Sequence, residues 1–178
     1  MATRDETASA EALEPDFVND FAERYIAAWN SRDADRLTAL ITEDIEWDDP
    51  ALPETARGRD AVADFARSGW RAFPDLEFEE PEAPYLSSNA PRVIARWRMR
   101  GTHLGPIDPP GFAPTGQRID VEGVDLWEFR DGLICRYRAV YDLNDMARQI
   151  GVAPQPGSRM ERAGVLMQRL TARLARRR

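Results

Sequence analysis

The sequence predicts an α+β domain: three helices in the N-terminal half, packed on one face of a curved, mainly antiparallel sheet. Two observations predict it. Apolar residues recur every three or four positions between Asp16 and Phe73, and every second position through most of Leu76 to Tyr141. The resulting order of helix, helix, strand, helix and then a run of about four strands contains no internal repeat, which favours helices segregated to one side of a sheet.

The first helix is read from Phe17, Phe21, Tyr25, Ala28 and Trp29, spaced to bury one face, with Asp16 as its N-cap. After the turn Asn30-Ser31-Arg32-Asp33, a short helix is predicted from Asp35 to Ile41, with Leu37, Leu40 and Ile41 inward. Ile45, Trp47 and Asp49 then alternate with Glu46 and Asp48 in a strand that Pro50 and Pro53 end. The third helix runs from Arg59 to about Phe73, burying Val62, Phe65, Ala66, Gly69 and Trp70, and Pro74 stops it.

Leu76 and Phe78, and Tyr85 beyond Pro81 and Pro84, form a broken strand. Three longer strands follow: Arg92 to His103, Arg118 to Phe129 and Leu133 to Tyr141. The last two are joined at Arg130-Asp131-Gly132, where Asp-Gly is a hairpin signal. Gly101 to Gly116 holds four prolines and four glycines and reads as a lid or rim loop. A closing helix runs from Leu143 to Ile150, with Gly151 at its C′ position.

Composition narrows the chemistry. Cys135 and His103 are single, which removes intramolecular disulfides and recognisable zinc motifs, and no metal site is expected. The chain has no lysine, so Schiff-base mechanisms are excluded. Of the net charge of −7, residues 158–178 contribute +6 from seven Arg and one Glu, leaving −13 for residues 1–157; this body repels phosphate backbones, and no nucleic-acid partner is expected. No apolar run approaches a membrane span, and the N-terminus lacks a signal-peptide core, so a cytoplasmic location is expected. Residues 1–15 read as a disordered leader, 16–151 as the domain, and 152–178 as a linker and basic amphipathic helix with a stripe of Ala163, Leu166, Met167, Leu170 and Leu174. That helix is expected to dock on the acidic body or a second subunit; an anionic membrane surface is the weaker alternative.

Three segments carry a family resemblance: Gly101-Thr102-His103-Leu104-Gly105 with Pro114-Thr115-Gly116; Trp127 to Ile134; and Tyr141-Asp142 with Gln149-Ile150-Gly151. Over about residues 16 to 151 the chain resembles the polyketide cyclase or ester cyclase group of the nuclear transport factor 2-like superfamily, the SnoaL-like proteins. The resemblance implies a cone of bent sheet and three helices around a pocket for a hydrophobic small molecule, no cofactor, and commonly a homodimer. It also implies that Asp142, matching the family's aspartate on the final strand, is the general acid/base of an intramolecular aldol ring closure. Arg138 stands where the family often has an aromatic; on the same strand face as Asp142 it would pair with it and help to bind an anionic substrate.

Other candidates are weighed against plainer roles. Asp142 could equally cap the closing helix. His103, at the loop's start, could exchange protons or hydrogen-bond a substrate carbonyl, or be structural. Asp49, beside Trp47 at the end of the first strand, is a second pocket carboxylate or a turn residue before Pro50. Tyr25 and Trp29 are pocket or core. Arg98, or Arg96, either clamps substrate from the inner sheet face or pairs with acids outside. An arginine between two aspartates is the arrangement of limonene epoxide hydrolases on this same fold, so hydrolysis is the alternative reaction, and a non-catalytic ligand-binding module the alternative class.

Overall fold

A computed structural model of the protein describes residues 12–108 and 110–175. Its elements are α1 (Pro15–Ser31), α2 (Ala34–Thr38), β1 (Ile41–Asp48), β2 (Ala56–Arg57), α3 (Arg59–Ala72), β3 (Glu77–Glu79), β4 (Tyr85–Leu86), β5 (Arg92–Thr102), β6 (Arg118–Arg130), β7 (Leu133–Tyr141), α4 (Leu143–Gln149) and α5 (Arg159–Ala175). Of the expected leader, residues 1–11 lie outside the described residues, and Leu13 is partly buried against the core.

The N-cap of α1 is Glu14 rather than Asp16, because Pro15 takes the first helical position, where its missing N–H is not needed. Asp33 caps α2 by accepting from Asp35 N and Arg36 N. That helix is shorter than expected: Ile41, read as helical, opens β1 and pairs in parallel with Ile134, fully buried.

The strands form one sheet in the order β2-β1-β7-β6-β5-β3, with β4 also pairing β5; β1 and β7 are parallel and the other pairs antiparallel. The β6–β7 hairpin turns at Asp131 and Gly132, both with positive φ (53° and 77°), the geometry an Asp-Gly pair supplies. Register shifts between Glu128 and Phe129, and between Ile41 and Glu46, mark irregularities of the kind that bend a sheet.

The α1 helix lies across the concave face. Phe21 meets Phe129 edge-on at 4.8 Å and Trp127 at 5.8 Å, and Tyr25 meets Trp127 at 4.9 Å. Fully burying each such ring contributes about 2 to 3 kcal/mol, so this aromatic layer is a main source of the domain's cohesion.

Strand phase, which sets the site, is unambiguous. Val93, Ala95, Trp97 and Met99 of β5, Asp125, Trp127 and Phe129 of β6, and Tyr137 and Ala139 of β7 face inward and are buried. The alternate residues face out and form ion pairs: Arg96 with Glu82 at 2.9 Å, Arg98 with Asp120, Arg136 with Glu46 at 3.0 Å and Arg138 with Asp48 at 2.7 Å. Such exposed pairs contribute at most about 1 kcal/mol each.

No residue of α5 is buried, and Met160, Leu166, Met167, Leu170 and Leu174 are exposed, so the expected docking on the chain's own body is not seen. Among the described residues no helix is long and apolar enough to cross a membrane.

Candidate active site

Between α1, α3 and the concave sheet lies a cavity of about 560 Å³. Its polar centre is Asp125, whose position follows from the pairing of β5 with β6. Trp97 stands opposite Gly123, and a Cβ on Gly123 would lie 2.3 Å from the indole, so only glycine lets Trp97 lie flat across the strand. The indole N–H then donates to Asp125 Oδ1 at 2.6 Å. Tyr137, held by a face-to-face stack on Trp47 at 3.5 Å, donates its phenol to the same oxygen at 2.7 Å.

Asp125 is only 3% exposed and has no cationic partner among the described residues. Burial pushes its carboxyl up to about 7, against the two hydrogen bonds, which favour the ionised form; the nearby Asp49 pushes it up further. A carboxyl that is half protonated near neutral pH can both take and return a proton.

Asp49 also lines the cavity. It is 8% exposed, accepts from Ala51 N at 2.8 Å and from the Tyr141 phenol at 2.9 Å, and burial raises its pKa as well. Tyr25, on α1, is buried, and among the described residues its hydroxyl has no hydrogen-bond partner. Burial and the Asp125 charge hold its phenol protonated, leaving a donor at the cavity wall without an acceptor. Among the described residues no group of three or more His, Cys, Asp or Glu is placed to hold a metal ion.

The model of the SnoaL-like polyketide cyclases matches residues 19–150 of this sequence. The chain belongs to that family. The solved structures it is similar to include TsrD from Streptomyces laurentii (24% identity, 78% of this chain and 98% of that one, TM-score 0.67). A protein from Jannaschia sp. CCS1, assigned as a SnoaL-like polyketide cyclase, is 21% identical over 85% of this chain and 100% of that one, with a TM-score of 0.67. AclR from Streptomyces galilaeus, assigned as a hydroxylase, is 24% identical over 90% and 98%, with a TM-score of 0.66. At such identities the likeness is one of fold. No match was found among curated proteins.

In this SnoaL-like chain the residues picked from sequence separate into two groups. Asp49, Tyr25 and Trp29 line the cavity together. Asp142 does not: β7 ends at Tyr141, and the side chain of Asp142 turns out to cap α4, accepting from Asp145 N at 2.8 Å, with 62% of it exposed and Arg148 at 3.5 Å. Arg138 and Arg98 occupy the outer sheet face with Asp48 and Asp120, so there is no Asp142–Arg138 pair, and among the described residues no arginine lies between the cavity aspartates.

His103 is fully buried, yet it sits behind the cavity wall. It packs on Phe73 at 5.4 Å, its Nδ1 is 3.1 Å from Thr115 Oγ1, and burial lowers its pKa. Trp47 is a core residue whose part is to support Tyr137. The loop from Gly101 to Gly116 supplies the rim through Ile107 and Asp108.

Sequence reasoning missed Asp125, the residue at the centre. A signal was available: an aspartate on the same strand phase as Trp127 and Phe129 is a charge among core positions. Gly123, two residues earlier in a strand, marked a close approach.

Proposed function

We propose that the protein is a cofactor-independent enzyme that moves protons on a hydrophobic, carbonyl-bearing small molecule, in an intramolecular aldol-type cyclisation or a related isomerisation. The observation that carries this reading is Asp125: a buried carboxyl titrating near 7 in an apolar cavity, held by Trp97 and Tyr137. Family membership supports the reaction class.

In the proposed step, ionised Asp125 takes a proton from the carbon α to a substrate carbonyl, and the bond's electron pair becomes an enolate. The free Tyr25 hydroxyl donates to the enolate oxygen. The enolate carbon attacks a second carbonyl of the same molecule, forming a C–C bond, and the resulting alkoxide recovers the proton from Asp125. Asp49, held by Tyr141, keeps a second carboxyl in the same cavity and favours the protonated form of Asp125 before substrate enters.

The test is proton exchange at carbon. A hydrophobic β-diketone incubated in D2O is expected to gain deuterium faster with the protein than without, and Asp125→Asn should remove that difference. Undiminished exchange in the variant would take Asp125 out of the mechanism. A pure binding module would bind the diketone without exchanging it. In the cell we place the protein in the cytoplasm, as a homodimer in which a second subunit covers the apolar stripe of α5.

A further inference from the structure

The walls of the cavity hold a second message, about charge. Five aromatic side chains follow one another along its wall: Tyr25 to Trp29 at 6.5 Å, Trp29 to Phe78 at 5.2 Å, Phe78 to Trp97 at 5.8 Å, and Trp97 to Tyr141 at 5.5 Å between centroids. Trp97 donates to Asp125 and Tyr141 to Asp49, so both buried carboxylates are attached to this aromatic wall.

Among the described residues no cation pairs with them. Among the described lining residues the one basic side chain is Arg71, exposed at the mouth beside exposed Asp64 and Asp108. The other charged and titratable groups facing the carboxylates are the phenols of Tyr25, Tyr137 and Tyr141, all held protonated, and Asp48 behind Asp49.

Aromatic faces present negative potential, and a wall of aromatic side chains beside an uncompensated carboxylate is chemistry that recognises an ammonium group. An anionic substrate would meet two buried carboxylates and no interior arginine. We propose that the substrate of this cavity carries a basic nitrogen and is bound as a cation, its ammonium group seated against the aromatic wall of Tyr25, Trp29, Phe78, Trp97 and Tyr141 and facing Asp125 and Asp49.

This rests on the cavity being the substrate site, and it extends that reading. The bound cation favours the ionised form of Asp125, so the substrate itself readies the base that attacks it. Nitrogen and carbonyl then belong to one molecule, with the ammonium between the carboxylates and the acidic α-carbon beside Asp125.

The experiment compares benzyltrimethylammonium with its neutral carbon isostere, neopentylbenzene, by quenching of tryptophan fluorescence at pH 6 and pH 8. The cation is expected to bind more tightly than the isostere at pH 8. Its Kd should tighten roughly tenfold between pH 6 and pH 8 as Asp125 ionises, whereas the isostere should show no such gain. In Asp125→Asn the pH step disappears, while retained isostere binding shows the cavity to be intact. Equal or tighter binding of the isostere by the native protein at pH 8 overturns the proposal. The two readings fail separately: loss of diketone exchange leaves the charge preference standing, and loss of the preference leaves the exchange standing.

Discussion

Trp97 reaches Asp125 only by lying across Gly123, its Nε1 coming to 2.6 Å from the carboxylate while a Cβ at position 123 would meet the ring at 2.3 Å. The indole donates to the charged form and so lowers the Asp125 pKa from where burial alone would put it. Trp97→Phe removes that donor without adding bulk. The acidic limb of the kcat/KM profile for diketone exchange should move up by roughly one pH unit, since a hydrogen bond to a charged group is worth about 1.5 to 3 kcal/mol. Gly123→Ala should produce the same shift with an overpacking cost of about 1 to 3 kcal/mol in thermal stability. An unmoved limb in both variants would show that the indole does not tune the base.

Asp125 should also be visible in stability alone. Its folded pKa of about 7 lies above the unfolded carboxylate value of about 4, so its favourable contribution is fully present below pH ~4 and lost as pH rises through 7. Three units correspond to about 4 kcal/mol, taken as an order of magnitude. An asparagine keeps an oxygen that can accept from both Trp97 and Tyr137 and never ionises. Asp125→Asn should therefore match the native protein near pH 4, if the domain is folded there, and exceed it at pH 8. Parallel denaturation curves for the two proteins from pH 4 to pH 8 would contradict a buried titrating carboxyl.

What could be read from sequence was decided by periodicity, and what could not was decided by phase. The alternation of Arg92 to His103 located β5 but left open which face was inner, and the arginines on one register looked as usable as the tryptophan on the other. Burial resolves this, because Arg96, Arg98 and Arg100 find acids across the sheet, while Trp97 has a carboxylate inside. Asp142 matches the family motif by position, yet the last inward residue of β7 is Tyr141, and one residue later the chain has turned into a helix cap. The signal of Asp125 is weak because its neighbours Val124 and Leu126 are apolar too, so alternation alone reads Asp125 as the outer phase there, and its partners Trp97 and Tyr137 come from two other strands.

The outward placement of Asp142 and Arg138 makes a prediction against the family motif. Asp142→Asn should keep both turnover and stability, since asparagine caps a helix as well as aspartate does. Asp142→Ala should lose about 1 kcal/mol and retain turnover. Arg138→Ala breaks an exposed pair with Asp48 and should cost under about 1 kcal/mol. A large loss of exchange activity in Asp142→Asn, with the fold intact, would restore that residue to the mechanism.

The last prediction concerns α5, which places Met160, Leu166, Met167, Leu170 and Leu174 on its surface and buries no residue. Since a second subunit is proposed to cover this stripe, a chain ended after Gly157 should unfold several degrees below the full one, whereas a change within about 2 °C would mean that α5 stands free in solution. A fall well beyond that would mean that α5 covers apolar surface, either on its own body or on a second subunit. Sedimentation separates those cases: a dimer that becomes a monomer on truncation assigns the stripe to a subunit interface, as the +6 charge of residues 158–178 against a −13 body favours. An unchanged oligomeric state with unchanged stability would leave the stripe free for the weaker alternative, an anionic lipid surface, which binding to phosphatidylserine vesicles at low and high salt would then decide.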